Sequence, residues 1–208
     1  MKNYKIMTNF IKYAIWALLL LPSCQEPIDL FQESDEGKNV LSFTFNGIPN
    51  CVYMKVDRYH TPSMRSGYNI ENGILQIDAV VYARDNQTCA FDYLFLDIPV
   101  SKDEELDNEM IEGALVRCVP VVLYINELSK PLYNTVPELT SSWVKIRKFD
   151  YNSRICSGSF GCCGTVTGKD GETYPFEITD GLFDVKFNPD LTESNSTYRA
   201  NYERRGLL

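Results

Sequence analysis

Seven cysteines carry most of the chemistry open to this chain of 208 residues. One, Cys24, follows Leu21-Pro22-Ser23 at the end of an apolar run, where a thiol is placed for modification rather than for packing. The other six, Cys51, Cys89, Cys118, Cys156, Cys162 and Cys163, are even in number, which fits oxidation to disulfides in an exported chain. Side chains alternate along a strand, so the neighbours Cys162 and Cys163 should point to opposite faces and seek different partners. Cys156 or Cys118 is the preferred partner for one of them, and the full connectivity stays open. A zinc site is the rival use of these thiols. The spacing Cys156-x5-Cys162-Cys163 has no CxxC knuckle, however, and the only histidine, His60, is remote in sequence, so no metal is expected.

Motifs for nucleophilic catalysis are weak. Ser142-x-x-Lys145 has the spacing of a serine and lysine pair, but the companion elements and the helix start that such a pair needs are missing. There is no G-x-S-x-G, H-E-x-x-H or phosphate-binding loop, and one histidine gives little basis for a triad. Asp103, Glu104, Glu105 and Asp107 lie in one acidic run. Paired acid and base roles need carboxylates in different environments on two sides of a substrate, so this run reads as a solvated segment, and it lacks the spacing of a calcium loop. The chain is accordingly not expected to be an enzyme, and no cofactor is expected.

The segment ahead of Cys24 is an address. Lys2, Lys5 and Lys12 precede the apolar run Tyr13–Leu21, which is too short for the roughly 20 residues that span a bilayer and has the layout of an export signal. With a small residue, Ser23, before the cysteine and Leu21 further back, the site resembles the lipobox of bacterial lipoproteins, although Pro22 departs from the small or β-branched residue usual there. That resemblance implies diacylation of the Cys24 thiol and removal of residues 1–23, with Leu21 and Ser23 read by the signal peptidase. Two or more acyl chains make a stable membrane attachment, so no transmembrane helix is required. An ordinary secretory signal with Cys24 incidental to it, or an uncleaved anchor, is the competing reading.

Removing residues 1–23 takes away three lysines and no acids, which moves the net charge from −8 to −11. An acidic chain with no basic patch repels phosphate backbones, so nucleic acid is not an expected partner.

Residues 24–39 read as a lipidated start and a polar, flexible tether. Residues 40–188 carry strand signals and no convincing amphipathic helix. Leu41, Phe43 and Phe45 alternate with polar residues, as do Leu75, Ile77, Ala79 and Val81. Further strands are expected at Cys51–Val56, Ala90–Ile98, Leu115–Ile125, Trp143–Phe149, Ile155–Phe160, Cys162–Thr167 and Tyr174–Ile178, with a last one through Phe183, Val185 and Phe187. Asn46-Gly47, Asn72-Gly73, Asp170-Gly171 and Asp180-Gly181 are dipeptides that accept positive φ in tight turns. The acidic run is expected as one short helix or a long loop. About ten strands with short turns predict an all-β, two-sheet antiparallel sandwich, with a β-barrel as the alternative. Residues 189–208 read as a polar C-terminal tail.

The segments Trp143–Asp150, Ile155-Cys-Ser-Gly-Ser-Phe160 and Phe176-Glu-Ile-Thr-Asp-Gly-Leu-Phe-Asp-Val185, with Phe43-Thr-Phe-Asn-Gly47 before them, resemble a group of small uncharacterised Bacteroidetes lipoproteins. Those proteins pair an S-G-x-F strand with a closing I-T-(N/D)-G-x-F strand after a lipobox. The resemblance implies a lipid-anchored β-sandwich at the outer membrane, facing the periplasm or the cell surface, and it supplies no catalytic residues. In the same residues Phe160 and Phe183 read as core anchors, and Gly158 marks a bulge or a close backbone approach. The function expected is that of a binding or accessory module with a glycan or protein partner. A structural envelope component and a carbohydrate-active enzyme are the alternatives. Tyr59, Tyr68 and Tyr133 are the loop aromatics open to a stacking role, against the commoner structural use of tyrosine, while Trp143 is the one tryptophan left once residues 1–23 are taken away.

Overall fold

The computed structural model describes residues 32–54, 63–81, 91–104, 106–120, 122–125, 128–131, 137–168 and 170–189. Within them the chain forms β1 (Val40–Phe45), β2 (Ile48–Tyr53), β3 (Met64–Asn69), β4 (Ile74–Val80), β5 (Phe91–Pro99), β6 (Glu109–Met110), β7 (Leu115–Pro120), β8 (Val122–Ile125), β9 (Leu128–Pro131), β10 (Glu138–Asp150), β11 (Ile155–Thr167) and β12 (Thr173–Lys186). A six-stranded sheet has the order β2-β1-β12-β11-β10-β6, and a four-stranded sheet has the order β3-β4-β5-β7. A separate hairpin pairs β8 with β9. Every ladder is antiparallel, and neither large sheet closes on itself. The fold is a two-sheet sandwich and not a barrel.

Alternation decides which residues face inward. Leu41, Phe43 and Phe45 of β1 and Leu75, Ile77 and Ala79 of β4 are sealed in one continuous core. Phe160 is wholly buried, with ring centroids 6.3 Å from Phe43 and 6.4 Å from Phe183. Phe160 and Phe183 are the core anchors that the S-G-x-F and G-x-F patterns suggest. Gly158 is a close approach of β11 to the β10 backbone and the Phe183 ring: a Cβ there would lie 2.2 Å from the Lys145 carbonyl oxygen and 2.9 Å from the Phe183 ring.

Three turn dipeptides make turns. Asn46-Gly47 has φ of 44° and 79° and joins β1 to β2 in a two-residue loop, the geometry whose twist suits a hairpin. Gly73 and Gly171 take positive φ between β3 and β4 and between β11 and β12. Asp180-Gly181 behaves differently. It lies inside β12, with Asp180 at φ 52° and the register slipping opposite Phe160/Cys162 and Ser42/Thr44. The dipeptide is a bulge that bends one long strand instead of starting a new one. Long-range pairing with β1 and β11 on both sides holds the strand together where local chemistry alone suggests a stop.

Other boundaries shift for similar reasons. The expected segments Ile155–Phe160 and Cys162–Thr167 are one strand, β11, carried through by ladders on both flanks. The expected strand Leu115–Ile125 divides into β7 and β8, which belong to different sheets. β3 was not among the expected strands. Its sequence, Met-Arg-Ser-Gly-Tyr-Asn, has weak alternation and gains its pairing from β4. Among its described residues the acidic run forms no helix: Leu106 bridges to Phe149, and Glu109–Met110 adds a short edge to β10.

The ordered domain begins before the expected boundary at residue 40. Glu36, Gly37 and Lys38 all donate backbone N–H groups to the Asp184 carboxylate. Residues 33–38, expected to belong to the tether, are a strap bonded across β10, β11 and β12. At the other end, Asn188 leaves β12 and bonds to β3 through Tyr68 N–H (2.7 Å) and the Ser66 carbonyl (3.0 Å), tying the two sheets together.

Candidate functional site

The outward face of the six-stranded sheet holds the most distinctive surface among the described residues. On β10, Val144 and Ile146 are wholly buried, so alternation turns Ser141, Trp143 and Lys145 outward. Trp143 is 39% exposed. Its register partner on β11 is Gly161, and a Cβ on that glycine would sit 2.8 Å from the indole Nε1 and 2.9 Å from Cε2. The indole thus lies across bare backbone, and any side chain at position 161 would push it off the sheet. Small hydroxyl residues surround this platform by register. Ser159 pairs with Lys145, Ser141 pairs with Cys163, and Thr179 pairs with Thr44. Ser141 Oγ and Cys163 Sγ are 3.1 Å apart, which fixes both on this face.

The strap closes the end of the same face that lies beyond Lys145. Arg147 donates from Nε to Asp35 at 2.6 Å and from its guanidinium to the Ser34 carbonyl, and it lies 3.3 Å from the Glu33 carboxylate. The Ser157 hydroxyl donates to the same Asp35 oxygen, Oδ1, that accepts from Arg147 Nε. Burial pushes the Asp35 carboxyl up, but the bonds from Ser157 and Arg147 outweigh it and hold the group below the usual aspartate value. Asp184 is wholly buried beneath the strap, and its three N–H donors supply what burial removes. Arg147, Ser157 and Asp184 are one residue each from β10, β11 and β12, and sequence reading did not single them out. An aspartate flanked by Phe183 and Val185 in a core strand was the available signal.

The described cysteines occupy four different environments. Cys162 turns inward, 4% exposed, and its sulfur is in hydrogen-bond contact with that of Cys118 on the opposite sheet. Cys163 turns outward beside Ser141. Cys156 is sealed in the core, where burial, and then the nearby Asp184 charge, push its thiol far above the ordinary value. Cys51 is half-buried on β2. The described cysteines form no disulfide with one another, so the expected bridges are not seen among them. Cys24, Leu21, Ser23 and Cys89 lie outside the described residues, as do His60, Tyr59 and Tyr133.

Several candidate groups are placed where chemistry is unavailable to them. Ser142 faces inward, paired with Cys162, while Lys145 faces outward, so the two cannot act on one substrate. Asp103, Glu104 and Asp107 are exposed. Among the described residues no three histidine, cysteine, aspartate or glutamate side chains gather as a metal site would require. Tyr68, weighed above as a stacking aromatic, is 2% exposed; its hydroxyl donates to the Val100 carbonyl at 3.0 Å and its ring meets Phe149, Tyr151 and Phe187. It belongs to the core because β3 carries it there.

Fold and surface together define an all-β sandwich with one open, hydroxyl-rich sheet face. No family model, curated protein or solved structure matches the chain.

Proposed function

We propose that this chain is an exported lipoprotein of the outer membrane, held by acyl chains on Cys24, that binds a saccharide chain on the outer face of its six-stranded sheet. The observation that carries the binding half of this reading is the half-exposed Trp143 laid across Gly161. A flat aromatic face suits the apolar C–H face of a sugar ring, and the surrounding serine and threonine hydroxyls suit its rim. The acidic charge disfavours polyanionic glycans and supports a neutral one. The anchoring half rests on the basic and apolar leader and on the position of Cys24 after Ser23. The strap supports a coupling of the two, because it joins the lipid-proximal segment to the same face that carries Trp143.

Two measurements test the halves separately. Intact-mass spectrometry of the chain from native membranes should show an acylated terminus at Cys24; an unmodified terminus, or one at another residue, overturns the anchoring. A panel of neutral oligosaccharides should bind the purified chain and lose affinity in Trp143→Ala. Retention of a protein partner with no oligosaccharide bound overturns the saccharide reading, as does binding that survives the substitution.

A further inference from the structure

Two thiols from opposite sheets meet inside the sandwich. Cys118 on β7 is 3% exposed, Cys162 on β11 is 4% exposed, and their side chains share a hydrogen bond. The two strands approach within 8 Å, Cα to Cα. Stacked sheets ordinarily lie about 10 Å apart, so β7 and β11 converge here, and a covalent bridge between the two thiols already in contact would hold their Cα atoms at roughly 4.4–6.8 Å. No comparable pairing is open to the neighbouring cysteines. Cys163 is on the far face of β11, turned away from the four-stranded sheet. Cys156 lies six residues back along the same strand, beside Val185.

We propose that Cys118 and Cys162 form a disulfide that staples the two sheets when the chain folds in an oxidising compartment. This rests on the export reading above. The oxidant is a disulfide donor, protein or small molecule. The thiolate of one cysteine attacks the donor disulfide, forming a mixed disulfide and expelling one donor thiol. The thiolate of the second then attacks the chain's own sulfur in that mixed disulfide, forms the Cys118–Cys162 bond and expels the second donor thiol. Two electrons pass to the donor and the chain loses two protons. Timing follows from the surroundings. In the closed sandwich the hydrogen bond with Cys162, and then burial, keep the Cys118 thiol protonated well beyond ordinary pH, and a protonated thiol is a poor nucleophile. The exchange belongs to the folding chain, before the sheets close.

The test separates the pairing from the export reading by supplying the oxidant directly. The chain is unfolded with reductant, refolded with glutathione disulfide, alkylated, digested and mapped by mass spectrometry. The expected result is a linked pair of peptides containing Cys118 and Cys162, lighter by two hydrogens than the separate peptides and released by reductant. Alkylation of both residues, or linkage of either to another cysteine, overturns the pairing. The same map of the chain from native envelopes should show the same link. An acylated Cys24 with Cys118 and Cys162 both alkylated overturns the proposal while leaving the anchor intact.

Discussion

Oδ1 of Asp184 lies 2.7 Å from the backbone nitrogen of Gly37, across 147 residues of sequence, and the carboxylate takes two further N–H donors from Glu36 and Lys38. This contact converts the end of an acidic, tether-like segment into part of the folded domain. Asp184→Ala should leave three strap amides without their acceptor and cost about 1.5–3 kcal/mol, the range for hydrogen bonds to a charged group. Asp184→Asn keeps one acceptor oxygen and should cost less. Urea unfolding of both variants, with amide exchange of residues 36–38, measures the difference; equal stability of Asp184→Ala and the parent would refute the role given to this carboxylate.

The strap should loosen in acid. Burial raises the Asp35 carboxyl, but Ser157 and Arg147 bring it below the usual value, so its folded pKa is lower than its unfolded one. Such a group contributes stability that is fully present above the unfolded value of about 3.9 and is lost as pH falls through the lower folded value. Limited proteolysis of the 33–38 segment should therefore accelerate below about pH 4. Asp35→Asn should be cleaved readily at neutral pH and show little further change on acidification.

Trp143 reports on its own platform. Gly161→Ala would place a methyl 2.8 Å from the indole nitrogen and 3.0 Å from the Ile178 carbonyl oxygen, so the ring must lift from the sheet. In a chain prepared without residues 1–23 Trp143 is the sole tryptophan, and its emission should shift to the red in Gly161→Ala. Saccharide binding should fall together with that shift. Trp143→Ala itself should cost about 1–3 kcal/mol, because the face of the ring laid on Gly161 is buried although the other is open.

Oxidation state should set thermal stability. A bond from Cys118 to Cys162 closes a loop of about 45 residues, which removes about 4 kcal/mol of unfolded-chain freedom on the loop-entropy relation. For a domain of this size that amounts to roughly 10 °C in melting temperature. Calorimetry of the oxidatively refolded chain with and without reductant gives the difference, and coincident transitions would contradict it.

Tyr68→Phe isolates one buried hydrogen bond. The ring stays among Phe149, Tyr151 and Phe187 while the Val100 carbonyl loses its donor, so the loss should be about 1–2 kcal/mol with the fold intact. Chemical denaturation with an unchanged m-value is the expected result.

Much of the architecture was legible along the chain because period-two alternation and turn dipeptides are local. Leu41, Phe43 and Phe45 announced β1, and Asn46-Gly47 announced the hairpin that follows it. Asp180-Gly181 shows the limit of that reasoning: its residues accept positive φ in a turn or in a bulge equally well, and only the ladders on either side select the bulge. The site was less visible. Gly161 matters through the Trp143 ring above it, 18 residues away, and Asp184 matters through amides at the opposite end of the domain.

The amino-acid order alone determined the strand class, because alternation and turn chemistry are properties of neighbouring residues, and it supplied the basic and apolar N-terminal segment on which the Cys24 expectation rests. Tertiary packing decided which outward residues stay open, which thiols meet, and that residues 33–38 join the folded domain. Those outcomes depend on residues distant in sequence coming within a few ångströms, and each distance is set by the pairing of whole strands and the closing of two sheets on one core.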